Sequence, residues 1–234
     1  MTEMKGNLIE LFDCEFAPIG EGNGLRQFHF KLSEGDICVL NADLPDDGHL
    51  FLRALATLDA PVQGCYFFRG TKLDFSDYRN LLPFRKRIGY ITPDSALLVN
   101  RSIQENIMLM HAYFDDVANF QTDIYRTELC SRFRIHDKLD LRPAQVDRED
   151  LRLALITREL LKFPDFLIIE RPRDYLSPEK FSLFTEVLQE RIRSGLPIVL
   201  LSSDEAFVTS LEHRDLKWNA RRDFRIENGL LISE

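Results

Sequence analysis

The sequence predicts an α/β fold: a mostly parallel sheet, antiparallel strands at its start, and an inserted helical lobe. Short apolar strands alternate with amphipathic helices along most of the 234 residues, the pattern of a parallel sheet with helical crossovers. The first two strand signals are instead joined by a glycine-rich turn, as antiparallel neighbours are. From about Pro93 to Ala144 the alternation gives way to helical periodicity alone.

In chain order, strand signals lie at Leu8–Phe12 and Phe28–Leu32, separated by the turn Gly20–Gly24. The strand Ile37–Leu40 runs through a loop into an amphipathic helix, about His49–Leu58. Cys65–Arg69 is a strand punctuated by Gly64 and Gly70, and Ile88–Ile91 is a short apolar strand. Helices are predicted over Ile103–Phe114 and Asn119–Phe133, followed by a polar approach to Gln145. The helix Arg148–Lys162 leads to the strand Phe166–Ile169, and Pro178–Arg193 is a long amphipathic helix. Ile198–Leu201 reads as a buried strand, and Asp223–Ile232 as a hairpin turning at Asn228-Gly229. Residues 1–92 and 160–234 thus form a core with an antiparallel β subdomain, and residues 93–159 a helical subdomain.

A formal net charge of −8 argues against nucleic acid as a main partner, since phosphate backbones demand a basic surface. No apolar run approaches the roughly 20 residues of a membrane span, and the start MTEMKGNLIELF lacks a signal-peptide profile. Cys14, Cys38, Cys65 and Cys130 are far apart with no C-x-x-C pair, so reduced thiols in a cytosolic protein are expected. No zinc, disulfide or other metal role is expected.

The stretch Gly35–Gly64 is the most informative. Its strand, loop and helix follow the order of a P-loop, G-x-x-x-x-G-K-S/T, which holds phosphates and Mg²⁺ with amides, a lysine and a hydroxyl. Here the loop reads Ala42-Asp43-Leu44-Pro45-Asp46-Asp47-Gly48-His49-Leu50. It has no lysine and no Ser or Thr, Pro45 deletes one amide, and Asp43, Asp46 and Asp47 stand where an anion would lie.

With these landmarks the chain resembles an ATP-binding-cassette (ABC) transporter nucleotide-binding subunit. The likeness covers nearly the whole chain: Gly35-Asp36, Asp59-Ala60-Pro61 with Gly64, Arg87-Ile88-Gly89-Tyr90-Ile91, and Ser102-Ile103-Gln104-Glu105-Asn106-Ile107. Arg152-Leu153-Ala154-Leu155 with Arg158, Pro164 and Pro172 continue it. It implies a P-loop NTPase-like, RecA-like core. The wording IGYITPDSALL and SIQENIML is also similar to ATPase subunits of phospholipid-trafficking, MCE-associated transporters.

The same register implies where the family's chemistry is missing. The adenine-stacking aromatic aligns with Pro18, the loop lysine with Gly48, and its hydroxyls with His49 and Leu50; a one-residue slip puts His49 on the lysine instead. The switch-loop glutamine aligns with Pro93, and the LSGGQ signature with residues 145–149, centred on Asp147. The Mg²⁺-holding aspartate and catalytic glutamate align with Glu170 and Arg171, and the switch histidine with Ser203. Phosphoryl transfer is almost entirely positioning and electrostatics. Each carboxylate–phosphate contact near 4 Å costs about 1 kcal/mol in water and about 4 kcal/mol at an effective dielectric near 20. Two such contacts offset the roughly 8 kcal/mol of micromolar binding.

Several expectations follow. Asp46 or Asp47 caps the helix after the loop, and Arg171 pairs with one of them across the vacated site. Glu170 is a structural carboxylate, His49 a surface residue, and Trp218 a packing residue. Residues 174–177 mark either a subunit interface or a plain helix start. The cluster Leu97, Leu98 and Val99 either packs the lobe's core or forms exposed apolar surface, which in the family receives a permease helix.

The leading functional expectation is a catalytically degenerate, non-hydrolysing structural or regulatory subunit with no cofactor. It would work at the inner face of a membrane with a permease, an active ABC ATPase, or a second copy. The alternatives are a divergent subunit that still binds or hydrolyses ATP with Mg²⁺, and a free-standing interaction module that kept only the fold.

Overall fold

The computed structural model describes residues 7–113, 120–212 and 221–233. Among them are two sheets. The first is antiparallel, ordered β2-β1-β4-β5, from β1 (Ile9–Phe16), β2 (Leu25–Leu32), β4 (Gln63–Phe68) and β5 (Thr71–Lys72). The second is ordered β10-β9-β3-β8-β7-β6, from β3 (Ile37–Ala42), β6 (Ile88–Ile91), β7 (Phe166–Glu170), β8 (Ile198–Leu201), β9 (Arg221–Glu227) and β10 (Leu230–Ser233). All its pairings are parallel except the hairpin β9–β10.

The central strands are apolar up to their carboxyl ends because both faces are covered. Cys38, Leu40, Phe166, Ile168, Val199 and Leu201 face a core shared with the antiparallel sheet and α1 (Pro45–Leu55). Their neighbours Ile37, Val39, Leu167, Ile169, Ile198 and Leu200 face a second core. That core is closed by residues of α3 (Ile103–Ile107), α5 (Phe120–Arg132), α6 (Arg148–Leu160), α7 (Pro178–Arg193) and α8 (Glu205–Leu211). The two-residue period of a strand assigns each side chain to one core or the other.

Strands β1 and β2 run longer than expected, and three helical regions differ from expectation. The helix expected over about His49–Leu58 is α1, Pro45–Leu55: proline's fixed φ suits the first helical position, and Asp46 and Asp47 favour the positive end of the helix dipole. It stops because Thr57 takes a left-handed φ of 60°, with Leu58 N donating to Arg53 O in the manner of a Schellman end. The single helix expected over Ile103–Phe114 is α3 followed by α4 (Leu109–Tyr113), broken at Met108. Helix α8 was not anticipated, although Asp204 is a readable start signal: its carboxylate accepts from Phe207 N. Trp218 and residues 114–119 lie outside the described residues.

Candidate functional site

The parallel strands aim their carboxyl ends at one crevice, where ligands of open α/β sheets bind. The β3–α1 loop, the ends of β7 and β8, and the segment after β6 meet there. Its acidic residues are all engaged from within the chain. Arg225 of β9 donates to Asp43 from Nη2 and Nε at 2.7 and 3.0 Å. Glu21 N donates to Asp46 Oδ2 at 2.7 Å, and Gly24 N to Asp47 Oδ1 at 3.0 Å. Asn23 Nδ2 adds a 3.5 Å contact to Asp47 Oδ2.

The turn of residues 20–24 therefore folds down onto the start of α1 and supplies amides to two carboxylates. The fit is close enough to demand glycine. A Cβ on Gly20 would lie 2.1 Å from Asp46 Oδ2, and one on Gly22 2.5 Å from Asp47 Oδ1. Neither aspartate caps the helix, contrary to expectation. The N-cap is Leu44, which makes no side-chain cap bond, and both aspartates sit inside the first turn, turned toward the glycine loop. Gly48 is buried in α1 and Leu50 packs in the first core, while Ala42 is half-buried at the end of β3.

Arg171 does not pair with Asp46 or Asp47 either. It takes a left-handed φ of 41° and turns back to its own strand end, with Nη2 3.4 Å from Glu170 Oε1 and Nε 3.8 Å from Asp174 Oδ2. Arg171 N donates to Leu201 O, which fixes the backbone beside β8. With Ala42, Pro45, Arg173 and Ser203 it lines a shallow cavity of about 260 Å³. Arg173 in that cavity is already paired with Asp204 at 2.8 Å.

Glu170 is fully buried and carries the densest polar network of the site. His49 Nδ1 lies 3.0 and 3.1 Å from its two oxygens, Thr92 Oγ1 donates at 3.0 Å and Tyr90 Oη at 3.2 Å. An ionised carboxylate only accepts, so Nδ1 carries a proton. His49 is thus not the surface residue expected: its side chain is 21% exposed, and Nε2 lies 3.6 Å from Asp94. The hydrogen bond to Glu170 raises its pKa above the ordinary imidazole value, overcoming partial burial, and Asp94 assists. Burial pushes Glu170 upward, but His49, Thr92 and Arg171 outweigh it and hold its carboxyl below the usual range.

The remaining positions are dispersed. Pro18 and Ser203 are exposed, and Pro93 lies in the turn beside Thr92. Asp147 is the N-cap of α6, accepting from Glu149 N and Asp150 N, so its carboxylate serves a helix end. Leu97 packs against the second core, whereas Leu98 and Val99 are exposed. Asn106 staples this loop, receiving Leu98 N at 2.7 Å and donating to Leu98 O at 3.1 Å. Among the described residues, no group of three or more His, Cys, Asp or Glu side chains is arranged to hold a metal.

This donor set does not fit a triphosphate. The crevice offers carboxylates that hold the amides of the glycine turn, and its cations face carboxylates of the chain: Arg225 to Asp43, Arg173 to Asp204, and Arg171, at longer range, to Glu170 and Asp174. Sequence reasoning placed the turn Gly20–Gly24 but missed that it folds onto the start of α1, and missed the role of Asn106. The run Gly-Glu-Gly-Asn-Gly opposite an acidic loop was the available signal for the former.

No family model matches the chain. It is 26% identical, over 90% of its length, to the macrolide export ATP-binding/permease protein MacB of Syntrophobacter fumaroxidans, of which it spans 28%. It is 21% identical to the arginine transport ATP-binding protein ArtM of Bacillus subtilis, covering 84% of this chain and 82% of ArtM. The methionine import ATP-binding protein MetN 1 of Rhodococcus jostii is 27% identical over 77% of this chain and 53% of its own length. In fold the chain matches the dimeric ATP-binding cassette MJ0796 in a post-hydrolysis state bound to ADP and Pi, with a TM-score of 0.80 at 16% identity, covering 97% of each chain.

Proposed function

Since this chain is an ATP-binding-cassette domain of the ABC-transporter kind, we propose that it is a non-hydrolysing member serving a membrane transport complex as a structural or regulatory subunit. The observation that carries the reading is the pairing of Asp46 and Asp47 with the amides of Glu21 and Gly24. The first turn of α1 thus carries two carboxylates held toward the glycine turn, where a phosphate-binding loop would keep its lysine and hydroxyl. An incoming triphosphate would meet these two negative charges at the start of α1 with no lysine to offset them.

The subunit sits at the inner face of the membrane, against a permease and beside an active ATPase or a second copy. The exposed pair Leu98 and Val99, held by Asn106, is the surface offered to the permease. Leu98→Asp with Val99→Asp should leave melting unchanged and abolish co-purification of the permease; retained co-purification rejects that surface. The named relatives are described as macrolide exporters and amino-acid transporters, so the phospholipid likeness supplies only a cargo to test.

The decisive measurement is thermal melting with millimolar Mg-ATP. A ligand at 100 times its dissociation constant stabilises by about 2.7 kcal/mol, and the reading expects no shift and no turnover by purified protein. A second reading, a divergent ATP-binding subunit, is favoured by Glu170, which ends β7 where the family places its Mg²⁺-holding carboxylate. Saturable stabilisation by Mg-ATP that Glu170→Gln removes would select it.

A further inference from the structure

Residues 69–87 carry six cations, Arg69, Lys72, Arg79, Arg85, Lys86 and Arg87, against two aspartates, Asp74 and Asp77. That is a surplus of four, which leaves −12 on the remaining residues of a chain whose net charge is −8. Exposed charges act over roughly a Debye length, about 8 Å at physiological salt, so a local surplus attracts partners whatever the total.

The segment forms one continuous border of the molecule. Strand β5 ends the first sheet and β6 ends the second. The turn Tyr78–Leu81 and the helix α2 (Leu82–Arg85) join them, with Phe84 packed on Phe68 at 5.5 Å between ring centres.

The charge on this border is not cancelled locally. Lys72 and Arg79 are exposed and have no carboxylate partner among the described residues. Arg69 and Arg87 share one carboxylate, Asp165, at 3.2 and 2.7 Å. Arg85 donates to Thr57 O and Oγ1 at 2.6 and 3.1 Å, neutral acceptors that leave its charge in place. The two aspartates serve the chain itself: Asp74 accepts from Ser76 N and Asn80 Nδ2, and Asp77 from Arg79 N. With Asp165 counted, the border keeps a surplus of three positive charges. Among the cations Tyr78 is 57% exposed, an apolar ring with a polar tip, and the Arg79 guanidinium lies 5.8 Å from its centre.

We propose that this border binds the surface of a membrane rich in anionic lipid, its cations over the headgroups and Tyr78 at the interface. Clusters of about four to eight Lys and Arg are drawn to such surfaces without a fixed docking geometry. That suits cations spread over a strand, a turn and a helix rather than converged on one group. The inference rests on the membrane placement proposed above and extends it. Arg87 enters the strand β6, and the loop that carries Leu98 and Val99 leaves it, so the lipid contact and the permease surface lie along the same edge of the second sheet.

The test is co-sedimentation of the purified chain, without permease or nucleotide, with phosphatidylcholine vesicles holding about one third phosphatidylglycerol. The chain should pellet with them and stay in solution with pure phosphatidylcholine. Raising the ionic strength from about 0.1 to 1 M shortens the Debye length from about 10 to 3 Å and should release it. Lys72→Gln with Arg79→Gln should melt as the parent does and bind roughly twentyfold or more weakly. Arg142→Gln with Arg148→Gln removes the same charge from exposed positions of the helical lobe and should bind like the parent. No sedimentation with the anionic vesicles, equal sedimentation with pure phosphatidylcholine, or an equal loss in the Arg142, Arg148 variant each overturns the proposal. Tighter binding of soluble polyglutamate than of vesicles at equal negative charge assigns the border to an acidic protein segment and overturns it too. Permease co-purification and Mg-ATP melting read the function proposed above on their own, so either inference can fail without the other.

Discussion

His49 and Glu170, 121 residues apart in the chain, form a buried pair in which one imidazole nitrogen lies 3.0 and 3.1 Å from the two carboxylate oxygens. The pair joins the first turns of α1 to the end of β7.

This pair sets a pH dependence. The pKa of His49 is raised on folding, so its contribution is complete below the ordinary imidazole value near 6.5 and fades as pH rises through the raised folded value. That of Glu170 is lowered, so its contribution is complete above about 4.5 and fades as pH falls through the lowered value. Stability from the pair is therefore greatest between these limits and declines on the alkaline side. His49→Gln should cost about 1–3 kcal/mol at pH 6 and flatten the decline, as measured by urea denaturation at a series of pH values.

The glycine turn over α1 gives a second prediction. Gly22→Ala places a methyl 2.5 Å from Asp47 Oδ1 and 3.1 Å from Ile19 O, and should destabilise by about 1–3 kcal/mol. Asp47→Ala leaves the buried Gly24 amide without its acceptor and should cost a similar amount. The midpoint of urea unfolding measures both, and unchanged midpoints would show that the turn does not seal the loop.

Arg171 gives a third. Its left-handed backbone carries strain that glycine relieves, and its ion contacts are long and half-exposed. Arg171→Gly should melt within about 0.5 kcal/mol of the parent or above it, with the gain from relaxed strain offsetting the lost contacts. Arg171→Glu should melt lower, because it sets a second carboxylate beside buried Glu170. The loss does not depend on Asp46 or Asp47, so it should persist in an Asp46→Asn, Asp47→Asn background.

Asp150 gives a fourth. It is buried at the start of α6 between Lys138 and Lys180, and so joins α6 to α7. Removing one partner of a buried charge cluster strands the others. Asp150→Ala should cost about 3 kcal/mol, and the added Lys180→Met should return part of it in a double-mutant cycle.

The helical and strand elements were legible because they follow local rules. Pro178–Arg193 and Ile198–Leu201 lie where periodicity placed them, since a 3.6-residue or uninterrupted apolar repeat is written in consecutive residues. The start of α1 was misplaced because its acidic first turn read as loop. The missing lysine and hydroxyls were equally plain, because an absent residue type needs no coordinates.

What the sequence determined by itself was the fold class and the inventory of the crevice: three aspartates, a histidine, a glutamate and an arginine at the loop and strand ends. Which of these touch was decided only by the tertiary structure. Asp46 and Asp47 are satisfied by a turn more than twenty residues earlier, His49 by a strand end 121 residues later, and Arg171 by its own neighbours rather than by the loop. Opposite charge alone permits many pairings across an open site. The direction in which each backbone delivers its side chain, fixed by sheet order and by one left-handed residue, selects among them.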